Sequence, residues 1–382
     1  MNSIKLFFHK VTHWEYWPYG IVYIPIYFIW LYYSIKARSI FFFNASNPSI
    51  KNGGFVNESK KEIYDLIPQK FIPKTLFFRN DARIEDVIKT IQNNGITYPC
   101  IAKPDIGQKG IAVAIMNSPA DVIKYAAKLD MDFLIQELIT FQNEVGIFYY
   151  RYPTEASGHI SGIVYKEFLT VTGDGFTSLL GLIEANPRAL LQLPSLQYIY
   201  ADKLQTIPQK GEQVNLVPIG NHARGTKFID ASNWVTEKLT NVVEGICREV
   251  NGFYYGRLDI RYNTFEELEQ GLNFSVIEIN GAGSEPTHIY DPAHSIFFAW
   301  KEIARHYKIL LGISMQNHKN GAPYLSLKQG IEMLAENSRL LKKLNQYNTS
   351  YGTKKKIKMG VNRINTRLAN FFAIVHANEN VG

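Results

Sequence analysis

Cysteine is nearly absent from this chain. Only Cys100 and Cys247 occur among 382 residues, which excludes a disulfide framework and fits a reducing compartment best. With 46% hydrophobic and 20% charged residues, the composition is that of a folded protein and not of a disordered one. The length suffices for two to three domains with a large core. We therefore expect a globular, cytoplasmic protein.

The body of the chain also lacks a strong charge imbalance. Lys and Arg total 41 against 34 Asp and Glu, a net charge of +7, but residues 351–382 hold six of the basic residues and only one acid. The remaining 350 residues are therefore nearly neutral. A near-neutral body argues against a basic groove, so we expect no nucleic-acid partner.

The N-terminal region has no uninterrupted apolar run, although aromatic residues are concentrated there. Between Glu15 and Lys36 lie 20 uncharged residues, a length that would match the hydrocarbon core of a bilayer if it were helical. Two prolines and a glycine interrupt this segment, and its many Trp and Tyr side chains favour the headgroup boundary. No short aliphatic stretch leads into a small-residue cleavage site, so a signal peptide is not indicated. We interpret residues 1–43 as an arm lying on a membrane surface, with a true span or packing on the protein's own core or a second subunit as alternatives.

Strand and helix patterns interleave after a loop-like stretch, Asn44–Asn57, that reads as a linker. They do not follow a strict βαβ repeat, and no internal repeat is found. The fold class we expect is α+β, with largely antiparallel sheets. The expected strands are Thr75–Phe78, Pro99–Ala102, Ile111–Met116, Phe133–Ile139, Val145–Arg151, Ile160–Phe168, Phe253–Tyr262 and Phe274–Asn280. The expected helices are 59–67, 84–95, Ala120–Leu129, Trp234–Val250 with a cap at Ser232, and Ala293–Leu311, followed by surface helices from Leu325.

The first candidate site is a lysine that precedes a glycine-containing turn. Lys103 directly follows one predicted strand, and Gly107 and Gly110 lie in the turn before the next. Such a turn presents backbone N–H groups to phosphate while the lysine neutralises its charge. This is not a P-loop, because the turn leads into a strand and not into a helix. A plain β-hairpin with a surface lysine is the alternative.

The second candidate site lies on two later strands. Alternation along Gly256–Arg261 places Arg257 and Asp259 on one face, and Glu278 and Asn280 likewise share a face of the next strand. If the strands pair, two carboxylates and an amide carbonyl converge as hard oxygen ligands suited to Mg²⁺. Ion pairing of these acids with Arg257 and Arg261 is the alternative.

These segments, together with the strand 133–139 and Asn143-Glu144, occur in an order that resembles the ATP-grasp superfamily. The resemblance is closest to the carboxylate–amine ligase branch that includes D-alanine–D-alanine ligase. It covers roughly residues 73–312, and the pair Arg257-Leu258-Asp259 and Glu278-Ile279-Asn280 is its most specific part. It implies two α+β lobes, ATP and Mg²⁺ as cofactors, and an amide bond formed through an acyl-phosphate.

The resemblance also assigns roles to single residues. Lys103, with the turn Gly107 to Gly110, would bind the nucleotide phosphates, and Arg257 would stabilise the acyl-phosphate and the oxyanion formed on attack. Lys60 could match a second phosphate-contacting lysine, or be a surface lysine. The hinge that would receive adenine is Gln136, Glu137, Leu138 and Ile139, and Glu144 would contact the ribose. The implied magnesium ligands are Asp259, Glu278 and Asn280.

Substrate-side candidates lie in two loops. His222 and Arg224 could reach a substrate carboxylate or phosphate from a mobile loop, with a purely structural loop as the alternative. Ser284 and Glu285 directly follow the metal strand, where an incoming amine would arrive. Residues 171–177 resemble a Gly-Asp-Gly loop of some ATP-grasp ligases, or form a plain β-turn. Lys166, on the strand before that loop, is a further candidate for nucleotide contact.

One part of a complete ligase is not matched. Ligases of this family carry an N-terminal α/β domain that helps to bind the first substrate, and here only residues 59–78 could belong to one. This difference suggests a carboxylate other than D-alanine, larger or membrane-borne, and a place at the inner face of the membrane. The expected division is an arm over 1–43, a linker and domain remnant over 44–72, a catalytic domain over 73–315 and a helical basic tail over 316–382.

Three functions therefore remain open from the sequence. The first is an ATP- and Mg²⁺-dependent ligase that joins a carboxylate, small or lipid-borne, to an amine. The second is an ATP-grasp kinase or phosphotransferase, and the third is a nucleotide-binding, membrane-associated module without turnover.

Overall fold

The fold is α+β with antiparallel sheets, as the sequence predicts. A computed structural model describes residues 2–107, 110–217, 220 and 222–350, and the part of the predicted tail 316–382 that follows residue 350 lies outside them. The described strands are β1 (Thr75–Phe78), β2 (Cys100–Pro104), β3 (Ala114–Met116), β4 (Phe133–Glu137), β5 (Asn143–Tyr150), β6 (His159–Glu167), β7 (Leu169–Thr172), β8 (Gln213–Val217), β9 (Lys227–Asp230), β10 (Tyr255–Tyr262) and β11 (Phe274–Asn280).

The described helices pack against these strands or against one another. They are α1 (Asn2–Thr12), α2 (Tyr19–Val22), α3 (Ile24–Ala37), α4 (Lys60–Leu66), α5 (Ile84–Asn93), α6 (Pro119–Lys128), α7 (Leu179–Ala185), α8 (Pro187–Leu191), α9 (Leu193–Tyr200), α10 (Glu237–Glu249), α11 (Phe265–Glu269), α12 (Ile296–Lys319) and α13 (Leu327–Ser350). Two helix starts differ from expectation. Thr236, not Ser232, caps α10, and Ser295 caps α12, in both cases by accepting a backbone N–H bond.

A four-stranded sheet in the order β1-β4-β2-β3 forms the first lobe. Helices α5 and α6 cover one face of it, where Ile91, Val122 and Tyr125 join a buried core. The strands β2 and β3 pair antiparallel, with Ala102 opposite Ala114. The glycine-containing segment therefore connects two paired strands, as the sequence predicts.

A five-stranded sheet in the order β11-β10-β5-β6-β9 forms the second lobe. One face packs on α10 through an apolar core that includes Ile147, Leu258 and Val243. Because side chains alternate along a strand, the other face receives the intervening residues, and many of these are charged. This polar face carries the candidate site.

A small third unit is inserted in the chain between β6 and β9, two strands of the second sheet. The strands β7 and β8 pair with each other, and α7 to α9 pack on them around a core that includes Leu179, Ile183 and Leu216. The sequence patterns do not reveal this unit, because its helices are short and carry little periodicity. The loop at 171–177 belongs to it and forms a turn in which the Asp174 carboxylate accepts hydrogen bonds from the N–H groups of Phe176 and Thr177.

The N-terminal arm, residues 1–43, packs on the body of the protein in the part the structure describes. Val22, Tyr23 and Ile26 are buried against Ile289 and Ile303. This is one of the three placements that the sequence left open. Over the described residues, no helix combines the length and the hydropathy that a membrane crossing needs.

The segment 44–57, which reads as a linker in the sequence, is packed tightly. The buried side chain of Asn47 donates hydrogen bonds to the carbonyls of Gly53 (2.9 Å) and Tyr255 (2.8 Å) and accepts one from the N–H of Tyr255 (3.0 Å). Gly54 has φ +74°, and a Cβ there would lie 2.7 Å from the Cα of Gly281. The segment therefore braces the end of β11, directly after the candidate metal ligands.

Candidate active site

The polar face of the second sheet brings the predicted metal ligands together. Strands β10 and β11 pair antiparallel, which puts Asp259 directly opposite Glu278 and Arg257 opposite Asn280. The pairing on which the sequence argument depended is thus present. A bulge between Asp259 and Ile260 shifts the register just beyond this pair.

Asp259 is buried and held by two cations. Its carboxylate lies 3.1 Å from Lys166 Nζ and 3.1 Å from Arg257 Nε, and a second Arg257 nitrogen donates to Oδ2 at 3.2 Å. Burial alone would raise the pKa of Asp259, but Arg257 and Lys166 outweigh it and lower the pKa to about 2. Burial likewise works to lower the pKa of Lys166, which Asp259 and Glu144 nevertheless raise. Asp259 therefore forms an ion pair with Arg257, one of the two arginines that the alternative interpretation of the sequence named.

Glu144, the expected ribose contact, is also ion-paired. It lies 2.7 Å from Lys166 Nζ and 3.2 Å from Arg261 Nε. A Cβ on Gly220 would lie 2.7 Å from the Glu144 carboxylate, so only glycine lets that loop approach the acid so closely. Lys166 thus bridges Glu144 and Asp259 at the centre of the polar face.

Glu278 differs from both of these acids. In the part of the chain that the structure describes, no hydrogen bond or ion pair engages its half-buried carboxylate. Asn280 donates a weak hydrogen bond to Asp259 (3.4 Å), which leaves its amide oxygen available. Glu278, Asp259 and Asn280 therefore present several oxygen lone pairs on one face, a donor set that fits Mg²⁺. Across the described residues no group of three His, Cys, Asp or Glu side chains could hold a metal ion, and the set here has only two such residues.

Lys103 is buried where the two lobes approach each other. Its ammonium donates to the hydroxyl of Tyr64 (2.6 Å) and to Oε1 of Gln136 (3.0 Å). Burial lowers the pKa of Lys103 to about 8, and the nearby charge of Glu278 opposes that shift. The lysine predicted from the first lobe and the acid predicted from the second are therefore close enough to interact.

Two basic side chains from other parts of the chain contact the glycine turn. Lys60 Nζ donates to the carbonyls of Asp105 (3.3 Å) and Gly107 (3.0 Å), and Arg224 donates to the carbonyl of Gly110 (2.8 Å). The Asp105 carboxylate accepts from the N–H of Lys61 (2.8 Å), which fixes the start of α4 at the turn. Lys60 thus contacts the glycine turn and is not a free surface lysine; its phosphate contact stays a prediction.

The four residues of the predicted adenine hinge make different contacts. Gln136 is buried and directs its side chain to Lys103, whereas Glu137 accepts from the N–H of Lys74 (2.8 Å) at the end of β4. Leu138 and Ile139 are half-buried in the connection to β5. The hinge therefore connects the two lobes, and its first residue belongs to the Lys103 cluster.

His222 contacts the N-terminal arm. Its Nε2 lies 2.7 Å from the carboxylate of Glu15, which also accepts two hydrogen bonds from Arg188 (2.7 and 2.9 Å). Burial alone would raise the pKa of Glu15, but His222 and Arg188 lower it. His222 and Arg224 thus lie on one short turn, the first fixed to the arm and the second to the glycine turn.

Ser284 and Glu285 follow the metal strand, as expected, but differ in their contacts. The Ser284 hydroxyl donates to the carbonyl of Gly281 (2.6 Å), a local backbone contact. Glu285 accepts hydrogen bonds from the hydroxyls of Tyr290 (3.0 Å) and Tyr23. Burial raises the pKa of Glu285 to about 7.

Sequence reasoning missed Tyr64, Glu15 and Tyr23. Tyr64 lies on a short helix without a motif, and nothing in its neighbourhood along the chain indicates that it contacts Lys103. Glu15 did carry a signal, because it is a lone acid beside a long uncharged aromatic segment, and such an acid needs a cationic partner when it is buried.

Comparisons with known proteins give likenesses in structure only. No family model matches the chain, and no curated protein matches it either. The solved structures that it resembles include a bifunctional glutathione synthetase from Pasteurella multocida, with 16% identity over 72% of this chain and 36% of that one and a TM-score of 0.38. They also include the VanG D-Ala:D-Ser ligase from Enterococcus faecalis (12% identity, 69% of this chain and 63% of that one, TM-score 0.40) and a D-alanine–D-alanine ligase from Bacillus anthracis complexed with ATP (11% identity, 71% and 70%, TM-score 0.39).

Two of these neighbours are named as ligases, and these D-alanine ligases belong to the branch that the sequence resembles. The chain spans about a third of the glutathione synthetase and just under two thirds of the VanG ligase. At TM-scores of 0.38 to 0.40 these likenesses carry no argument.

Proposed function

We propose that this protein is an ATP- and Mg²⁺-dependent ligase that activates a carboxylate as an acyl-phosphate and joins it to an amine. The proposal rests on one observation, which is that the lysine site of the first lobe lies close to the candidate metal ligands of the second lobe. The buried ammonium of Lys103, just before the glycine turn, lies near the carboxylate of Glu278, which forms no ion pair with the described residues and faces Asp259. The sequence resemblance supports the same activity.

The first lobe supplies positive charge for phosphate groups. Lys103 is held by Tyr64 and Gln136, and Lys60 lies against the carbonyl of Gly107. Because both lysines are positioned by neutral oxygens, their charges are available to an anion. Lys103 comes just before the turn that follows β2, and Lys60 contacts the carbonyl of Gly107 in it, so this turn would receive the β- and γ-phosphates of ATP.

The second lobe supplies oxygen ligands and one cation. Glu278, Asp259 and Asn280 would hold the metal ion, which when bound neutralises phosphate charge. Arg257 lies between Asp259 and the backbone carbonyl of Glu285, to which it donates at 3.4 Å. Its guanidinium is therefore held at the border between the metal ligands and the loop that follows β11, where an acyl-phosphate needs charge stabilisation.

The chemistry follows from these positions. A carboxylate oxygen attacks the γ-phosphorus, the bond from phosphorus to the ADP oxygen breaks, and ADP leaves with the electron pair. Lys103 and Arg257 reduce the repulsion between the two anions in this step. The amine nitrogen then attacks the acyl carbon, phosphate leaves, and an amide remains. Positioning contributes much of the rate, since the protein offers little covalent help to phosphoryl transfer.

The test is to identify the product. Purified protein is incubated with ATP, Mg²⁺ and a small-molecule cell extract, and ATP-dependent products are identified by mass. A condensation product formed with ADP and phosphate is expected, and its formation should be lost in Glu278→Gln but kept in Glu332→Gln, a matched change at an exposed site. A metabolite that gains phosphate would instead establish a phosphotransferase, and nucleotide binding without any product would establish a module without turnover.

We propose further that the outer side of the arm contacts an anionic membrane surface. On α3, Ile24, Phe28, Leu31 and Ile35 form one exposed stripe, with side chains 52%, 71%, 57% and 69% exposed. The basic residue Lys36 is exposed at the end of this stripe, where it would meet anionic headgroups. A lipid-borne carboxylate would then be reached from the membrane surface.

Vesicle sedimentation tests this second proposal. The intact chain should sediment with vesicles that contain anionic phosphatidylserine, and Phe28→Ser/Leu31→Ser should reduce the bound fraction without lowering the melting temperature. Equal sedimentation of the intact and the doubly substituted chain would overturn it.

A further inference from the structure

Glu285 lies in a group of tyrosines that come from three parts of the chain. Tyr290 and Tyr23 donate to its carboxylate, and the ring of Tyr19 stacks on Tyr23 at 3.9 Å between centroids. The negative charge of Glu285 also helps to raise the pKa of Tyr307, on α12, after burial as the main cause. We call Glu285 with Tyr19, Tyr23, Tyr290 and Tyr307 the tyrosine box.

The ionic state of this carboxyl sets it apart from the other acids at the site. Asp259 and Glu144 each have two cationic partners, whereas Glu285, within the described residues, has only the hydroxyls of Tyr23 and Tyr290. A carboxyl in such surroundings is expensive to ionise unless a cation joins it. The box therefore offers one acid without an ion pair, surrounded by aromatic rings, and an acid and aromatic rings are the two features that bind an organic ammonium group.

The position of the box relates it to the proposed reaction. Arg257 donates from the same guanidinium to Asp259 and to the backbone carbonyl of Glu285. Glu285 is five residues beyond Asn280, across a loop whose glycines pack on the 44–57 segment. A group bound at the Glu285 carboxylate would thus be held by the same residue whose backbone carbonyl contacts the guanidinium that the proposed function places at the acyl-phosphate.

We infer that the tyrosine box is the acceptor subsite of this protein and that it binds a primary amine as its ammonium ion, with Glu285 as the counter-charge. This inference rests on the proposed ligase function for its role but not for the binding itself. The hydroxyl of Tyr23 stands where an ammonium N–H would donate to Glu285. An entering amine therefore displaces Tyr23, and the N-terminal arm becomes a wall of the subsite.

The proton balance of the transfer is then defined. The ammonium gives one proton to the Glu285 carboxylate, which frees the nitrogen lone pair. The nitrogen forms its bond to the acyl carbon, the bond from that carbon to the phosphate oxygen breaks, and phosphate leaves with the electron pair. The second nitrogen proton leaves with phosphate.

The test uses n-butylammonium chloride as the probe, with no nucleotide present, and follows binding to the full chain by calorimetry and tyrosine fluorescence. Saturable binding is expected at pH 8, with an affinity at least tenfold lower in Glu285→Gln and unchanged in the exposed control Glu332→Gln. Tyr23→Phe, which removes the competing hydroxyl, should bind the probe at least as tightly as the unchanged chain. Because Glu285 must be ionised, the affinity should rise as the pH rises through about 7 and should lose this dependence in Glu285→Gln.

Two results would overturn the inference: no saturable binding by the unchanged chain, or equal binding by Glu285→Gln with its melting curve intact. Binding of n-butanol with the same affinity would also overturn it, since that molecule has no charge. Nucleotide binding is measured on the same samples. Failure of ATP to bind would remove the proposed function and leave the ammonium result standing, so the two failures are distinguishable.

Discussion

Asp259 and Glu278 face each other on adjacent antiparallel strands, yet among the described residues only Asp259 forms direct ion pairs, whereas Glu278 acts on Lys103 and Arg257 through its charge alone. Two carboxylates placed opposite each other repel, and the repulsion is relieved on one side only, by Lys166 and Arg257. Glu278 is therefore the acid that is free to take a further cation. The next two predictions separate the roles of these two acids.

Glu278→Gln should abolish Mg²⁺-dependent nucleotide turnover, by at least a hundredfold, without destabilising the fold. The change removes a like-charge contact with Asp259 and breaks no hydrogen bond that the described residues show. Turnover is followed by ADP release, and stability by thermal melting. Full turnover in Glu278→Gln, or a large loss of melting temperature, would contradict this role.

Asp259→Asn should lose turnover and also destabilise the protein, by about 3 kcal/mol, because removing one member of a buried ion pair leaves Lys166 and Arg257 undercompensated. Urea unfolding at pH 7 measures this loss. The folded pKa of Asp259 is lowered, so its contribution is present above pH 4 and is lost as the pH falls towards about 2. A difference between the two chains that is as large at pH 2 as at pH 7 would refute the ion-pair assignment.

Lys103 should give nucleotide binding a pH dependence. Its pKa in the free protein is lowered to about 8, so the ammonium form that attracts phosphate is lost as the pH rises through that value. The affinity for ATP should therefore fall between pH 7 and pH 9, and Lys103→Met should bind ATP at least tenfold more weakly, with a flatter profile. Calorimetry over this range checks it, with the exposed Lys89→Met as the control. An unchanged profile in Lys103→Met would contradict the assignment.

His306 should contribute to acid unfolding. It lies on α12, buried against Phe148 of β5 and Tyr255 of β10, and burial, reinforced by Arg305, lowers its pKa to about 3. The unfolded chain therefore takes up this proton first, and the free energy of unfolding should fall by up to about 1.4 kcal/mol per pH unit from pH 6.5 towards pH 3. His306→Asn should show a smaller slope in urea unfolding over this range, whereas the exposed His318→Asn should not. Equal slopes in His306→Asn and the unchanged chain would be the contrary result.

Local patterns in the sequence predicted β1 to β6, β10 and β11, but not β7, β8 or β9. Alternation placed Arg257 and Asp259 on one side of β10, and a one-residue slip against β11 would turn that polar face into the core. The cations that hold Asp259 were harder to foresee. Lys166 comes from β6, and only the order β10-β5-β6 brings it to Asp259.

The N-terminal residues show why the packing of the arm and of the segment 44–57 could not be predicted from the sequence. Its aromatic content is the same whether the rings meet lipid or the protein's own core, and only tertiary packing separates the two. Tyr23 is 3% exposed while Phe28, five residues later, is 71% exposed. The segment 44–57 has the Asn, Ser and Gly of a linker, but these residues serve close backbone contacts such as that of Gly54 with Gly281.

The origin of the oxygen in the released phosphate tests the ligase proposal most directly. An acyl-phosphate can form only if a carboxylate oxygen attacks the γ-phosphorus, and that oxygen then leaves with phosphate. The protein is therefore incubated with ATP, Mg²⁺ and a small-molecule extract whose carboxyl groups carry ¹⁸O, and the released phosphate is analysed by mass spectrometry. The ligase account predicts one ¹⁸O atom in each phosphate formed with the condensation product; unlabelled phosphate, or phosphate retained on a metabolite, would contradict it.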